Sequence, residues 1–515
     1  MKDKNMSIIK KIMITAISAT VAFSAVNAKT LRIAYDADPV SLDPYEQISG
    51  GILQNSHLLF DPLVRWNKAT GLDARLATSW ERLDELTVRF KLRKGVKFHS
   101  GNPFTSKDVK YTIHRTKKSP GYKAIFEPIS EVNIIDDFTI DVITKVPHPL
   151  LLNTMTYIFP MDSKFYAGRD EIKKAANTFA SKNVSGTGPF VVAERQQGVK
   201  VVYTAFDNYW DKNRGNISKI VLTPISENGP RTAALLSGGV DLIAPVAPAD
   251  FNLVKKSDKA NLLVETGDRI IIFHMNQDRN KALKDVRVRQ AIVHAVNNTG
   301  ITKKIMNGFG EPAGQFSPKG YQGHNKALKP RYDLKKAKAL MKEAGYEKGF
   351  KVTMIAPNNR YVNDAKIAQA TAAMLAKIKI KVDLKTMPKA QYWTAFDARS
   401  ADIQMVGWRS DTGDSANFNE FLTMCQDAET GFGAYNASAY CNKEIDALTM
   451  QANKETDISK RKQILQKAEK IMYDDAVFIP LHWQNLAWGQ ANGVDVEGVV
   501  DSNNTPYFGN LTIKK

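Results

Sequence analysis

Apolar and polar positions follow two different rhythms along this chain. Leu31 to Asp36 alternates with the period of two that a half-buried strand needs. Thr87 to Phe98 reads as two strands bent at Lys94-Gly95, and Thr105 or Ser106 opens a helix running to about Arg115. Further strands fit Thr139 to Lys145, Lys200 to Ala205 and Lys219 to Ile225. Pro147 and Pro149, then Gly186, Gly188 and Pro189, punctuate this strand-rich part as loops.

The later part alternates strands with helices. Val286 to Val296 is amphipathic, and Asp333 caps a helix that stops at Gly345. Phe350 to Ala356 predicts a strand, Asp364 to about Lys377 a helix, Ile380 to Met387 a strand, Ala390 to Ala398 a helix and Ala401 to Trp408 a strand. Right-handed crossovers force such a βαβαβ unit into a parallel sheet with helices on its faces. Ligands of open parallel sheets bind outside the carboxyl ends of the strands. Two polar segments belong there, Pro357-Asn358-Asn359-Arg360-Tyr361 and Arg409-Ser410-Asp411-Thr412-Gly413-Asp414. The same residue types also form solvated turns for backbone reasons alone.

The first residues change the compartment. Lys2, Lys4, Lys10 and Lys11 precede an apolar stretch from Ile12 to Val26, and Val26-Asn27-Ala28 supplies the small residues of a cleavage site before Lys29. Residues 1–28 therefore read as a cleavable secretory signal, too short for a spanning helix of roughly 20 apolar residues. No Cys stands at the cleavage point, so the expectation is a protein free in the periplasm and not a lipoprotein. The rest of the chain exceeds what one core organises, so two or more lobes are expected. Its composition, 43% hydrophobic and 24% charged, is that of a globular protein.

A formal charge of +19 raises the question of nucleic acid. Basic residues are scattered as pairs and triplets without aromatic interleaving, so a solvated basic surface is the better reading. The two cysteines, Cys425 and Cys441, suit a disulfide in an oxidising compartment and make a poor zinc site without a nearby His pair. No nucleophile elbow, metalloprotease helix motif, phosphate loop or dinucleotide fingerprint is present. The eight histidines include no close pair; His99 and His294 read as structural, and His482 in Pro480-Leu481-His482-Trp483 is the one of interest. No resident cofactor is expected.

One segment departs from the basic background. Asp402 to Glu429 holds Asp402, Asp411, Asp414, Glu420, Asp427 and Glu429 against Arg409 alone. Such an island favours a cationic group such as a peptide ammonium, and acids near helix starts also complement the helix dipole without any ligand.

The run Ala77-Thr78-Ser79-Trp80, Leu86 through Gly101 (LTVRFKLRKGVKFHSG) and Phe104-Thr105-Ser106-Lys107-Asp108-Val109 closely resembles the signature of the family 5 extracellular solute-binding proteins. The resemblance continues through Gly186-Thr187-Gly188-Pro189-Phe190, Asp285 to Ala291, Gly407-Trp408 and Ile479 to His482. It implies an α/β, two-lobe hinged periplasmic-binding-protein fold of type II with an extra inserted subdomain. Lobe 1 would comprise residues 29–57, 183–272 and 477–515, with residues 58–182 inserted, and lobe 2 residues 273–476.

The resemblance also implies function. The family comprises dipeptide, oligopeptide, glutathione, heme and nickel-chelate receptors of ABC importers, so the main reading is a monomeric, non-catalytic receptor that delivers short peptides to an inner-membrane permease. In peptide-binding members the Asp a few residues after Gly-Trp pairs with the peptide amino terminus, which points to Asp411, with Asp414 as the nearby alternative and Trp408 as an apolar or π-rich wall. Arg360 matches the basic residue that takes the peptide carboxylate. Ser415-Ala416 stand after Asp414 where dipeptide receptors have Pro. A nickel-chelate or heme receptor using His482 is the alternative within the family, and a secreted hydrolase is the alternative of another class.

Overall fold

The computed structural model describes residues 29–46, 48, 50–68, 71–173, 177–410, 412–501 and 505–514. The signal-peptide assignment to 1–28, and Asp411 with it, lie outside these residues.

One eleven-stranded sheet runs through the molecule. Its order is Lys381–Met387, Lys351–Pro357, Ile403–Trp408, Ala260–Met275, Phe478–Ala491, Leu242–Ala244, Lys29–Tyr35, Ile217–Pro224, Lys200–Ala205 and Phe190–Gln196, with the short strand Glu311–Pro312 also pairing Phe478–Ala491. The βαβαβ unit is present as read. Lys351–Pro357 pairs in parallel with both Lys381–Met387 and Ile403–Trp408, and the helices Asp364–Ala376 and Lys389–Asp397 connect them. At the other end Lys29–Tyr35 lies parallel to Ile217–Pro224 and Leu242–Ala244.

Two long antiparallel strands, Ala260–Met275 and Phe478–Ala491, join these halves. Their alternating side chains serve two cores, as the strand period dictates. Ile270 and Ile272 pack into one apolar cluster, while Ile271, Phe273 and Met275 pack into the other with Ile292, Met354, Ile367 and Ile403. The pairing breaks register between Glu265 and Arg269. Gly267 sits in the break, where an added Cβ would lie 2.0 Å from the Gln484 carbonyl oxygen, so only glycine lets the strands stay this close.

Two small sheets stand apart, a pair (Val64–Asn67 with Gly71–Ala74) and a four-stranded antiparallel sheet in the order Ala77–Arg82, Thr87–Leu92, Thr139–Thr144, Ile129–Asp136. The expectation of two strands over Thr87 to Phe98 needs correction. Only Thr87–Leu92 is a strand; beyond Gly95 the chain makes a single bridge, Lys97 to Pro103, because it turns back on itself, the Phe98 amide donating to the Asn102 carbonyl and the Phe98 carbonyl accepting from the Gly101 amide. The following helix is Ser106–Thr116, with Asp108 Oδ2 accepting from the Thr105 amide at 2.8 Å. Cys425 and Cys441 form a disulfide, and closing a loop of this size is worth about 3 kcal/mol. No helix among the described residues is long and apolar enough to cross a membrane.

Candidate functional site

The strand break at Glu265/Arg269 opens onto a cleft between the two halves of the sheet. One wall comes from Tyr35 and Asp36 at the end of the first strand, from Gly50, Gly51 and Gln54 of the helix Gly50–Leu59, and from Pro245. The other comes from Arg269, Arg360, Val362 and Lys389, and Gln484, Leu486 and Trp488 of the long strand form the floor. A second hollow continues it past Asn358, Asn359 and Asp364, sharing Asp36, Pro245 and Val362.

The loop after Lys351–Pro357, flagged by its polar sequence, is held in place from below. Asp364 Oδ2 accepts from the amides of Arg360 (2.9 Å) and Tyr361 (3.0 Å), and Gln484 Oε1 accepts from the Val362 amide (3.0 Å). Burial pushes the Asp364 carboxyl up to about 6, against the pull of those amides. The Tyr361 hydroxyl accepts from the Gly407 amide at 2.8 Å; a Cβ on Gly407 would come within 2.6 Å of the Tyr361 ring, so glycine at the strand end lets this loop dock. Asn359 Oδ1 accepts from the Lys389 amide at 2.7 Å, which ties the loop to the helix carrying the third cation.

Arg269, Arg360 and Lys389 thus converge from three elements. Burial, then the nearby Arg360 and Arg409 charges, lower Arg269 to about 10. Burial, then Arg360, lower Lys389 to about 8, with Asp36 and Asp38 opposing. Arg360 lies 5.0 Å from the centre of the Tyr361 ring, a cation–π distance, and its Nε is buried without a partner.

Of the residues expected at the site, the structure brings Arg360 to the cleft. Trp408 is packed elsewhere: it stacks on Phe421 at 4.9 Å, meets Tyr435 at 4.8 Å and donates from Nε1 to Asn417 Oδ1 at 2.9 Å. The aromatic rings on the cleft are Trp488 and Tyr35, 6.1 Å apart and edge-on. Asp414 is buried and gripped by Arg461, at 2.8 and 3.1 Å. The acidic island serves the protein itself at other points as well. Asp402 accepts from Thr353, Asp427 from the Glu429 amide, and Glu420 from Asn453, with burial raising Glu420 to about 7.

His482 is fully buried in the sheet, opposite Ile271 and Pro312, and is no part of the cleft lining. Burial lowers it to about 4, so its ring stays neutral. His99 Nε2 donates to the Gly188 carbonyl at 3.0 Å, and His294 bonds the Arg331 carbonyl. No group of three or more His, Cys, Asp or Glu among the described residues could hold a metal ion.

A cleft astride a continuous crossing strand pair, with fixed charges and aromatic rings on its walls, is suited to bind a small solute. The chain belongs to the bacterial extracellular solute-binding proteins of family 5, whose middle-region model matches residues 72–430. It is 31% identical over 495 residues to the dipeptide-binding protein of Escherichia coli K12, covering 90% of this chain and 91% of that one. It is 30% identical over 460 residues to heme-binding protein A of Haemophilus influenzae, covering 83% and 82%. The structure of the ABC transporter-associated periplasmic binding protein DppA from Helicobacter pylori, in complex with the peptide STSA, superposes with a TM-score of 0.86 at 26% identity, covering 95% of this chain and 98% of that one. These establish a type II periplasmic-binding-protein fold.

Proposed function

We propose that this protein is exported to the periplasm, captures a short peptide in the cleft and hands it to an inner-membrane ABC permease without catalysing a reaction. The observation that carries this reading is the cleft itself, walled by Arg269, Arg360 and Lys389 on one side and Asp36 on the other, with Trp488 and Tyr35 between. A peptide offers a carboxylate to the cations, and its backbone and side chains suit the rings. The peptide-binding relatives favour the same ligand class.

We assign the chain to a lobe of residues 29–57, 183–272 and 477–515, carrying the insertion 58–182, and a lobe of residues 273–476; Arg360, Val362 and Lys389 then face the cleft from the second lobe, and Arg269 from the crossing strand just before the boundary. The boundary at 272/273 falls inside the strand Ala260–Met275, so bending of that strand and its partner would close the cleft. Asp411 is the proposed ammonium anchor. Supporting it are its place three residues beyond Trp408 and the contact of the Gly407 carbonyl, at the same strand end, with Arg269 Nη1 at 3.5 Å.

Small-angle scattering with a peptide pool should show compaction on binding; no compaction with any peptide rejects the receptor reading. Calorimetry then tests the anchor. Asp411→Asn should weaken binding by about 2 to 5 kcal/mol, the usual loss on breaking a desolvated charged pair, and an N-acetylated peptide should lose as much. Wild-type affinity in either case rejects Asp411.

A further inference from the structure

We propose that the preferred solute carries net negative charge, with carboxylates beyond the one that ends a peptide chain, and seats an anionic group among Arg269, Arg360, Lys389 and the first turn of the helix Gly50–Leu59. The inference rests on the receptor reading and names the charge class of its ligand.

The charge on the walls carries the argument. Among the described residues the charged groups on the lining are Arg269, Arg360, Lys389 and Asp36, a net charge of +2, which the proposed anchor Asp411 would reduce to +1. None of the three cations forms an ion pair among the described residues; the Asp268 carboxylate, which accepts from the Tyr321 hydroxyl, acts on Arg269 through its charge without pairing with it. Lys389 is only 9% exposed. Arg360 Nε is buried with no acceptor. Bringing like charges together in a poorly solvated place costs free energy unless an opposite charge joins them.

The backbone adds to the same field. An ideal Cβ on Gly50 would lie 3.6 Å from Arg269 Nη2, and one on Gly51 3.8 Å from Lys389 Nζ. The cations therefore stand against the start of a ten-residue helix, where the amides of the first turn and the dipole are already positive and where that turn holds no acidic side chain. A cation at a helix start is the wrong sign for stability. With an anion between them, both donate to it. The lowered proton affinities of Lys389 and Arg269 agree with this crowding.

A zwitterionic peptide has no net charge and would leave the site positive when closure removes water, even with Asp411 counted. The side-chain carboxylates of a peptide such as Ala-Glu-Glu offset that excess. A non-peptide dicarboxylate presents the same chemistry, and the experiment separates the two sources.

Calorimetry at pH 7 compares Ala-Glu-Glu with the isosteric Ala-Gln-Gln, and glutarate with its monoamide. Ala-Glu-Glu should bind at least about tenfold tighter than Ala-Gln-Gln, and the ratio should fall to about threefold or less in Arg360→Gln and Lys389→Gln, whose melting temperatures show that they fold. Equal binding of the two peptides overturns the inference and leaves the receptor reading intact. Preference for glutarate over its monoamide with no peptide binding supports the anionic class and overturns the peptide reading. Binding of none of the four overturns both. A peptide preference that neither variant alters overturns the seat assigned here.

Discussion

Lys389 is held in its unfavourable environment by its neighbours, not by a partner. Its backbone is fixed by Asn359, its Nζ meets the glycine start of a helix, and burial ahead of Arg360 lowers it from 10.5 to about 8. The folded protein thus binds this proton less tightly than the unfolded chain. Below pH 8 both states are protonated and the full cost is present; between pH 8 and about 10.5 only the unfolded state still holds the proton, so stability rises with pH over that window. Lys389→Met should therefore stabilise the ligand-free protein by about 1 to 3 kcal/mol at pH 7, with the gain shrinking toward zero above pH 10. Denaturant melts of both proteins from pH 6 to 10.5 measure it. A gain independent of pH would mean that packing, not charge, is responsible.

At the scale of elements, the loop after the strand Ile403–Trp408 is built as structure around Asp414. Its carboxylate meets Arg461 of the helix Ile458–Asp474, both side chains at most 5% exposed, and Ser410 Oγ donates to the Asp414 carbonyl and accepts from its amide. Removing one partner of such a pair strands the other charge. Asp414→Asn should cost about 3 to 5 kcal/mol of stability, while the folded fraction binds peptide within about twofold of wild type. Equilibrium unfolding and calorimetry on one preparation give both values, and a selective loss of affinity would return Asp414 to the site.

This contrast also marks what could be read from the residues. The βαβαβ unit was legible because its apolar periods are clean and its strands short. The long strands Ala260–Met275 and Phe478–Ala491 were not, since Glu265-Thr266-Gly267-Asp268 interrupts the alternation where the register breaks. Arg360 could be found from its loop and the family pattern. Arg269 and Lys389 carry no local signal among 72 lysines and arginines; only the crossing strands and the tied loop bring them together. The acidic island was visible, but sequence could not tell that Arg461, Thr353 and Asn453, distant in the chain, already occupy acids within it.

On the scale of the whole molecule, the scattered basic residues and the cationic cleft act on different steps of binding. The formal charge of +19 falls to +16 once residues 1–28 are removed, and such a surface attracts an anionic solute from solution, through solvent that salt screens with a Debye length of about 8 Å at physiological ionic strength. The cleft holds it by contacts in a place from which water has been excluded, where screening is weak. Encounter and retention should then respond differently to salt. Raising ionic strength from about 20 to 500 mM should slow association of an acidic peptide by about tenfold or more, while its dissociation rate changes by less than about threefold. Association of a zwitterionic peptide should change little. Stopped-flow fluorescence, with Trp488 in the cleft as the reporter, reads both rates. A Trp488→Phe control shows whether the signal comes from that ring. If salt instead speeds dissociation and leaves association unchanged, the cations remain solvated in the complex and the closed cleft does not exclude water from them.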